Sequence, residues 1–235
     1  MNLLVVGGSG HVGRLMLPIL VEHYELRVFD RTPPVLSGVE YIEGDVTDPV
    51  ALLEAAQGMD LLLFMAMGKT SEKGIFDITA AYDVNAKGVH LAMDAAAKAG
   101  VKRAVYTSSL SVHDGADLTT GAFDSEEVKP EPTNIYGHTK WMGEEACRFV
   151  NRTKKLPILA LRLFLPVDQE TWHARHDPNK VDCRTSAPDL GRALLAALQY
   201  EHTGFEVIHI TGDTSGRAYK HEKAKAFLNW QPEEI

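Results

Sequence analysis

The chain has 235 residues, 45% of them hydrophobic and 24% charged, with a formal net charge of −8. That length fits one large α/β domain better than two independent ones, and the composition gives no reason to invoke disorder. The acidic balance argues against nucleic-acid binding as the main function, and no stretch is long and apolar enough to span a membrane.

The chain opens on Asn2-Leu3-Leu4-Val5-Val6, a short apolar run that reads as a buried strand, and passes directly into Gly7-Gly8-Ser9-Gly10-His11-Val12-Gly13. Residues His11 to Glu22 then carry apolar side chains at helical spacing. In such a strand, turn and helix, Gly7 permits the tight turn and Gly10 lets backbone approach a pyrophosphate. Gly13 lets the helix pack closely, and the N–H groups at its start, near His11 and Val12, face the phosphates. The arrangement is suited to a dinucleotide. A second apolar run, Leu26 to Phe29, ends in Asp30, about twenty residues on, where a carboxylate accepts hydrogen bonds from an adenosine ribose. This favours NAD. Arg31, next in sequence, is the opposing signal, because it can reach a 2′-phosphate, so NADP is not excluded.

Val39 to Glu43 alternates as a third strand and ends at Gly44-Asp45-Val46. Asp45 and Val46 sit where an adenine would lie, although a turn aspartate has the same spacing. Thr47-Asp48-Pro49 opens a helix to Gln57. Leu61 to Met65 is a continuous apolar run, as expected of a strand covered on both faces, and Ala66-Met67-Gly68-Lys69 continues it at the cofactor edge. A long alanine-rich helix is expected from Ile75 to Ala99, stopped by Gly100. Asn85 lies inside it, either exposed or tying the helix to a neighbouring loop.

Ala104 to Ser108 is the fifth strand, and its end, Thr107-Ser108-Ser109, places hydroxyls at the crevice edge of a parallel sheet. A polar loop from Asp114 to Thr133 is long enough to cover a site. Tyr136-Gly137-His138-Thr139-Lys140 leads a helix to about Lys154, with Tyr136 and Lys140 one turn apart on one face. A phenol beside an ammonium and a nicotinamide charge is expected to have a lowered pKa and to exchange a proton with a substrate oxygen, with Ser109 donating to the same oxygen.

Leu156 to Leu165 reads as the sixth strand, and Asp168 to Arg184 shows no clear periodicity. A helix at Ala187–Tyr200, a strand at Phe205–Ile210 and a terminal helix at Ala218–Trp230 complete the expectation. Cys147 and Cys183 lack metal-ligand spacing, and the His173/His176 pair has no carboxylate cluster beside it, so no metal is assigned. With no signal-peptide layout at the start, the expected compartment is the cytoplasm.

In this order the motifs resemble the extended branch of the short-chain dehydrogenase/reductase superfamily, which includes NAD-dependent epimerases, dehydratases and uronate dehydrogenases. The residues that carry the resemblance are Gly7-x-x-Gly10-x-x-Gly13, Asp30, Gly44-Asp45-Val46, Asp83-x-Asn85-x-x-Gly88, Thr107-Ser108-Ser109, Tyr136-x-x-x-Lys140 and Leu161-Arg162-Leu163. It implies a Rossmann-like doubly wound parallel sheet with helices on both faces and a small C-terminal substrate-binding region. The NAD-binding part is placed at 1–165 and the substrate region at 166–235, with 187–210 returning to the sheet.

The resemblance further implies catalysis by Ser109, Tyr136 and Lys140. The cofactor set is Gly7, Gly10, His11, Val12, Gly13, Asp30, Arg31, Asp45, Val46, Met65, Ala66, Lys69, Asn85, Thr107, Ser108, Tyr136, Lys140 and Leu163. The implied partner is a small-molecule substrate, with neither nucleic acid nor membrane, and many relatives form a homodimer through the two long helices. His113-Asp114 and Phe164-Leu165-Pro166 depart from the family pattern on the substrate side. Little chain is left for a lid, which favours a free sugar, sugar acid or similar small hydroxy compound over a nucleotide sugar. Arg175, Lys180 and Arg184 are candidate partners for a carboxylate or phosphate.

Overall fold

The computed structural model describes residues 1–68, 77–114, 125–175 and 180–233. Its strands are β1 (Asn2–Val6), β2 (Glu25–Asp30), β3 (Glu40–Glu43), β4 (Leu61–Phe64), β5 (Arg103–Ser109), β6 (Ile158–Leu163) and β7 (Phe205–Ile210). They form one sheet in the order β3-β2-β1-β4-β5-β6-β7, and every neighbouring pair is parallel. The chain winds outward from β1 to β3 and then restarts at β4 on the other side of β1. Loops leaving β1 and β4 therefore part in opposite directions and open a crevice at the C-terminal edge.

Continuous apolar runs form the central strands because both faces are covered. Leu3, Val5, Leu61 and Leu63 pack toward α1 (His11–Leu20), α7 (Ala187–Gln199) and α8 (Glu222–Leu228). Their alternates Leu4, Val6, Leu62 and Phe64 pack toward α2 (Pro49–Ala56), α4 (Val89–Ala99) and α5 (Ile135–Lys154). Each fully buried side chain of this kind contributes about 1.5–3 kcal/mol. Helix starts follow the local chemistry: Asp48 caps α2, Asn134 caps α5 and Ser186 caps α7, each side chain accepting from a first-turn N–H.

Two expected elements differ. The helix expected over 75–99 is divided into α3 (Ile78–Tyr82), a π-helical segment at Asp83–Gly88 and α4, while Ile75 and Phe76 lie outside the described residues. The wide turn brings Asn85 fully inside, where Oδ1 accepts from the Gly68 N–H (3.1 Å) and Nδ2 donates to Thr139 Oγ1 (3.0 Å). Asn85 thus ties the loop after β4 to α5. Within the stretch read as irregular, Gln169–Arg175 forms α6, anchored by the buried Trp172. Asp168 starts it by accepting from the Thr171 N–H (2.7 Å) and hydroxyl (2.8 Å).

Small residues on α5 are used inside the subunit. A Cβ on Gly143 would lie 2.4 Å from the Tyr106 hydroxyl and 2.5 Å from the Asn85 carbonyl oxygen, and one on Gly137 would lie 2.1 Å from the Ser111 carbonyl oxygen. Both glycines let α5 lie close against β5 and the turn that follows it. Gly143→Ala is expected to destabilise the fold by about 1–3 kcal/mol through overpacking, read as a lower urea midpoint at unchanged slope. A midpoint equal to wild type would show that α5 can retreat from β5 without cost.

Candidate active site

At the C-terminal edge of the sheet lies a cleft of about 970 Å³. The structure brings nearly all the sequence-predicted residues to it. Gly7, Gly10, His11, Val12, Asp30, Arg31, Asp45, Val46, Met65, Ala66, Thr107, Ser108, Ser109, Tyr136, Lys140 and Leu163 all line its walls. Gly13 and Asn85 stand behind the wall, and Lys69 lies outside the described residues.

The glycine turn is shaped by its neighbours. Gly7 adopts φ 86°, a left-handed conformation, and a Cβ there would lie 2.2 Å from the Ala66 nitrogen. Gly13 lets α1 sit on the turn, since its Cβ would fall 2.0 Å from the Gly8 carbonyl oxygen. The residue before α1, Gly10, has no side chain to cap it, so among the described residues the helix's first N–H groups and positive dipole end are available to an anion. Asp30 receives the Ser9 N–H (2.9 Å) and the Arg31 N–H (2.7 Å), fixing the turn to the end of β2. Asp45 accepts from the Thr47 N–H and hydroxyl, which hold its carboxyl below the usual carboxylate range. Arg31 lies 3.9 Å from Asp45 across this end of the cleft. Glycine turn, free helix N-terminus and strand-end carboxylate together fit a dinucleotide.

At the other end, β5 and α5 bring Ser109, Tyr136 and Lys140 together. Tyr136 is hydrogen-bonded to Ser109, whose Oγ also accepts from the Ser111 N–H (3.1 Å). Lys140 is buried, and its Nζ donates to the Thr107 carbonyl (2.8 Å) with the Tyr136 ring centroid 5.9 Å away. The expected lowering of the Tyr136 pKa is not what the protein itself produces. Burial pushes the phenol up, and the Ser109 hydrogen bond opposes this only in part. Burial also pulls Lys140 down to about 7, against the opposing charge of Glu144, so less ammonium stands beside the phenol at neutral pH than sequence reasoning assumed.

A buried polar network that the sequence reading did not assign lies beneath this pair. Ser108, Arg162 and His209 stand in register on β5, β6 and β7. Arg162 grips Glu144 with two hydrogen bonds, Nε to Oε1 at 2.9 Å and Nη2 to Oε2 at 2.8 Å, and Ser108 Oγ donates to Oε1 at 2.6 Å. Arg162 Nη1 lies 2.7 Å from His113 Nε2 and donates to the Glu126 carbonyl (3.3 Å). An arginine only donates, so His113 Nε2 accepts and its proton sits on Nδ1, toward the Lys129 backbone. The signal for Glu144 was present as Tyr136-x-x-x-Lys140-x-x-x-Glu144, one further turn on the same face.

The cations proposed from the C-terminal part are not gathered at the cleft. Arg184 is committed to Asp182 at 2.6 Å, and none of Arg175, Lys180 and Arg184 lines the walls. Among the described residues no group of metal-ligating side chains is assembled and no helix is long and apolar enough to cross a membrane.

Residues 3–181 match the model of the NAD dependent epimerase/dehydratase family. The chain is 30% identical to the N-acetyl-alpha-D-glucosaminyl-diphospho-ditrans,octacis-undecaprenol 4-epimerase of Escherichia coli O157:H7, over 63% of this chain and 43% of that protein. It is 23% identical to the NAD-dependent glucose-6-phosphate dehydrogenase of Haloferax volcanii over 98% of this chain and 92% of that one. Among solved structures, glucuronic acid dehydrogenase from Chromohalobacter salexigens superposes with a TM-score of 0.84 at 22% identity, covering 99% of this chain and 84% of that one. The chain spans about two fifths of the length of several curated relatives that it matches.

The network makes folding stability depend on pH. Burial first, and the Arg162 charge second, lower His113 to about 4. Its folded pKa lies below the unfolded value of about 6.5, so the unfolded chain binds more protons between these values. The contribution is complete above pH ~6.5 and is lost as pH falls toward 4, by roughly 3 kcal/mol in all. His113→Gln, whose side-chain oxygen can accept from Arg162, is expected to lose less stability than wild type between pH 7 and 4.5 in urea titrations. Equal losses in the two proteins would show that His113 is not held neutral.

Proposed function

Because the chain belongs to the NAD dependent epimerase/dehydratase family, we propose that it is an NAD-dependent oxidoreductase or epimerase of the extended short-chain dehydrogenase type. It acts at a hydroxyl-bearing or carbonyl carbon of a sugar, sugar acid or similar small hydroxy compound. The observation that carries this reading is the meeting of Ser109, Tyr136 and Lys140 in the same cleft as the glycine turn and Asp30.

NAD, when bound, supplies the hydride acceptor or donor. The remaining work falls to the chain. Tyr136 takes the proton from the substrate hydroxyl as the hydride leaves, or returns it in the reverse direction, and Ser109 donates a hydrogen bond to the same oxygen. Lys140 places positive charge beneath the phenol from its fixed station on the Thr107 carbonyl. The phenol of Tyr136, raised by burial, would be lowered by positive charge brought beside it, from Lys140 and from an oxidised nicotinamide if bound. Asp30 accepts from the adenosine ribose, with Asp45 and Val46 at the adenine end.

A small substrate is supported by what the chain offers as a wall. The stretch between β6 and α7, residues 164–186 with the short α6, is brief, and α7, β7 and α8 are committed to the sheet and its cover. A homodimer through α4 and α5 belongs to the same proposal. The partly exposed Met142 and Phe149 lie on α5, with His90 of α4 against the Phe149 ring.

The deciding experiment follows NADH absorbance with NAD and uronic acids, aldoses, polyols or nucleotide sugars. Tyr136→Phe is expected to lower turnover by about 10²–10⁴-fold while NAD affinity by calorimetry stays within a small factor; undiminished turnover sinks the acid–base role. Asp30→Ala is expected to weaken NAD binding and relax discrimination against NADP, since one carboxylate both accepts from the ribose and repels a 2′-phosphate. Tighter binding of NADP than NAD by the wild-type protein would hand that role to Arg31.

A further inference from the structure

Three side chains spaced four residues apart on one face of α5 each meet the C-terminal end of β5. Tyr136 bonds Ser109, Lys140 donates to the Thr107 carbonyl and Glu144 accepts from the Ser108 hydroxyl. The first two form the reacting pair of the proposed function, on which this inference builds. The third is 1% exposed and lies one turn beyond a lysine that is 2% exposed. No salt bridge at hydrogen-bond distance joins them among the described residues. The Glu144 carboxylate is instead held from the strand side, by Ser108 on β5 and by both arms of Arg162 on β6.

We propose that Glu144 is a positioning residue that favours the ammonium form of Lys140 and fixes the register of α5 on β5, with Arg162 holding the carboxylate in place. A buried ammonium whose direct ligand is one carbonyl needs a nearby negative charge to stay protonated. The ionisable groups facing Lys140 are Glu144, Cys147 and Tyr136 on its own helix, and Tyr106 on β5 with its ring centroid 5.0 Å from Nζ. Arg162 on β6 stands behind Glu144. Burial favours the protonated thiol of Cys147 and the protonated phenols of Tyr106 and Tyr136, and the carboxyl group of this set is Glu144, ion-paired with Arg162 at 2.8 Å. Arg162 serves two ends at once. Besides gripping Glu144 it donates to the Glu126 carbonyl, on the segment that returns through the Asn134 cap to Tyr136.

The test reads Lys140 directly. Protein carrying ¹³C-lysine is titrated by NMR at the lysine ε-carbon, with the Lys140 signal assigned from its absence in Lys140→Arg. Glu144→Gln keeps the side-chain shape and removes the charge, and the Lys140 midpoint is expected to fall by about one unit or more. Glu144→Asp keeps the charge and is expected to hold the midpoint within about half a unit. An unshifted midpoint in a Glu144→Gln protein with native near-ultraviolet circular dichroism overturns the proposal. So does an Asp variant that shifts as far as Gln. If Glu144→Gln leaves Arg162 unpaired and unfolds the chain, the double variant Glu144→Gln/Arg162→Met is compared with Arg162→Met alone, so that the charge of Glu144 is the one difference, and a midpoint equal in the two overturns the proposal. The titration needs neither substrate nor turnover, so an unsuccessful substrate screen and a failed Glu144 assignment are separate results.

Discussion

Lys140 Nζ lies inside the protein, donating at 2.8 Å to the Thr107 carbonyl. Burial that pulls an ammonium from 10.5 to about 7 disfavours the charged form by roughly 5 kcal/mol. The surroundings are arranged around that cost. Gly143 admits α5 close enough to β5 for the contact, Tyr106 places an aromatic face 5.0 Å from the cation, and Asn85 holds the adjoining π-helical turn against Thr139 on the same helix. Weakening any of these lets α5 move outward, and Tyr136 would move with it.

The parallel sheet turns that local contact into a cleft. All seven strands run the same way, so the ends of β1, β2, β4, β5 and β6 open on one edge although their residues are spread from Gly7 to Leu163. The same constraint keeps the central strands apolar on both faces and confines polar residues to their last positions or to a buried network. Ser108, Arg162 and His209 occupy one buried row, and each polar neighbour serves another: the carboxylate of Glu144 takes Ser108 and Arg162, and burial together with the Arg162 charge favours a neutral ring at His113. Removing one member leaves its partners buried and unpaired, at a cost of about 3–5 kcal/mol for an ion pair.

The glycine turn, the apolar runs and the strand-end Asp30 were legible because each is a local pattern with one mechanical meaning. The spacing of Tyr136 and Lys140 was legible for the same reason. Glu144 was missed although its spacing continues theirs, because a glutamate on a helix is ordinarily solvated and its meaning here comes from Arg162, eighteen positions away on a strand. Periodicity could not separate an α-helix from the π-helical turn at Asp83–Gly88, since one extra residue shifts the phase without changing the composition. Nor could the Tyr136 environment be read from charge alone. Burial, which depends on the whole fold, outweighs the neighbouring hydrogen bond.

The cofactor end of the cleft is held by bonds the protein makes to itself. Asp30 takes the Ser9 N–H, and the Ser9 hydroxyl donates to the Thr32 carbonyl at 2.6 Å, which joins the glycine turn to the end of β2. On the opposite side the His11 ring, at the first position of α1, lies 2.8 Å from the Pro166 carbonyl oxygen just beyond β6. The turn is therefore tied to both walls without any help from a ligand. A loop ordered in advance loses less conformational freedom on binding, so more of the phosphate interaction appears as affinity. The two ties differ in kind. Those at Asp30 and Thr32 hold the glycine turn to the end of β2. The bond from His11 to Pro166 joins the start of α1 to the segment after β6 on the opposite side of the cleft.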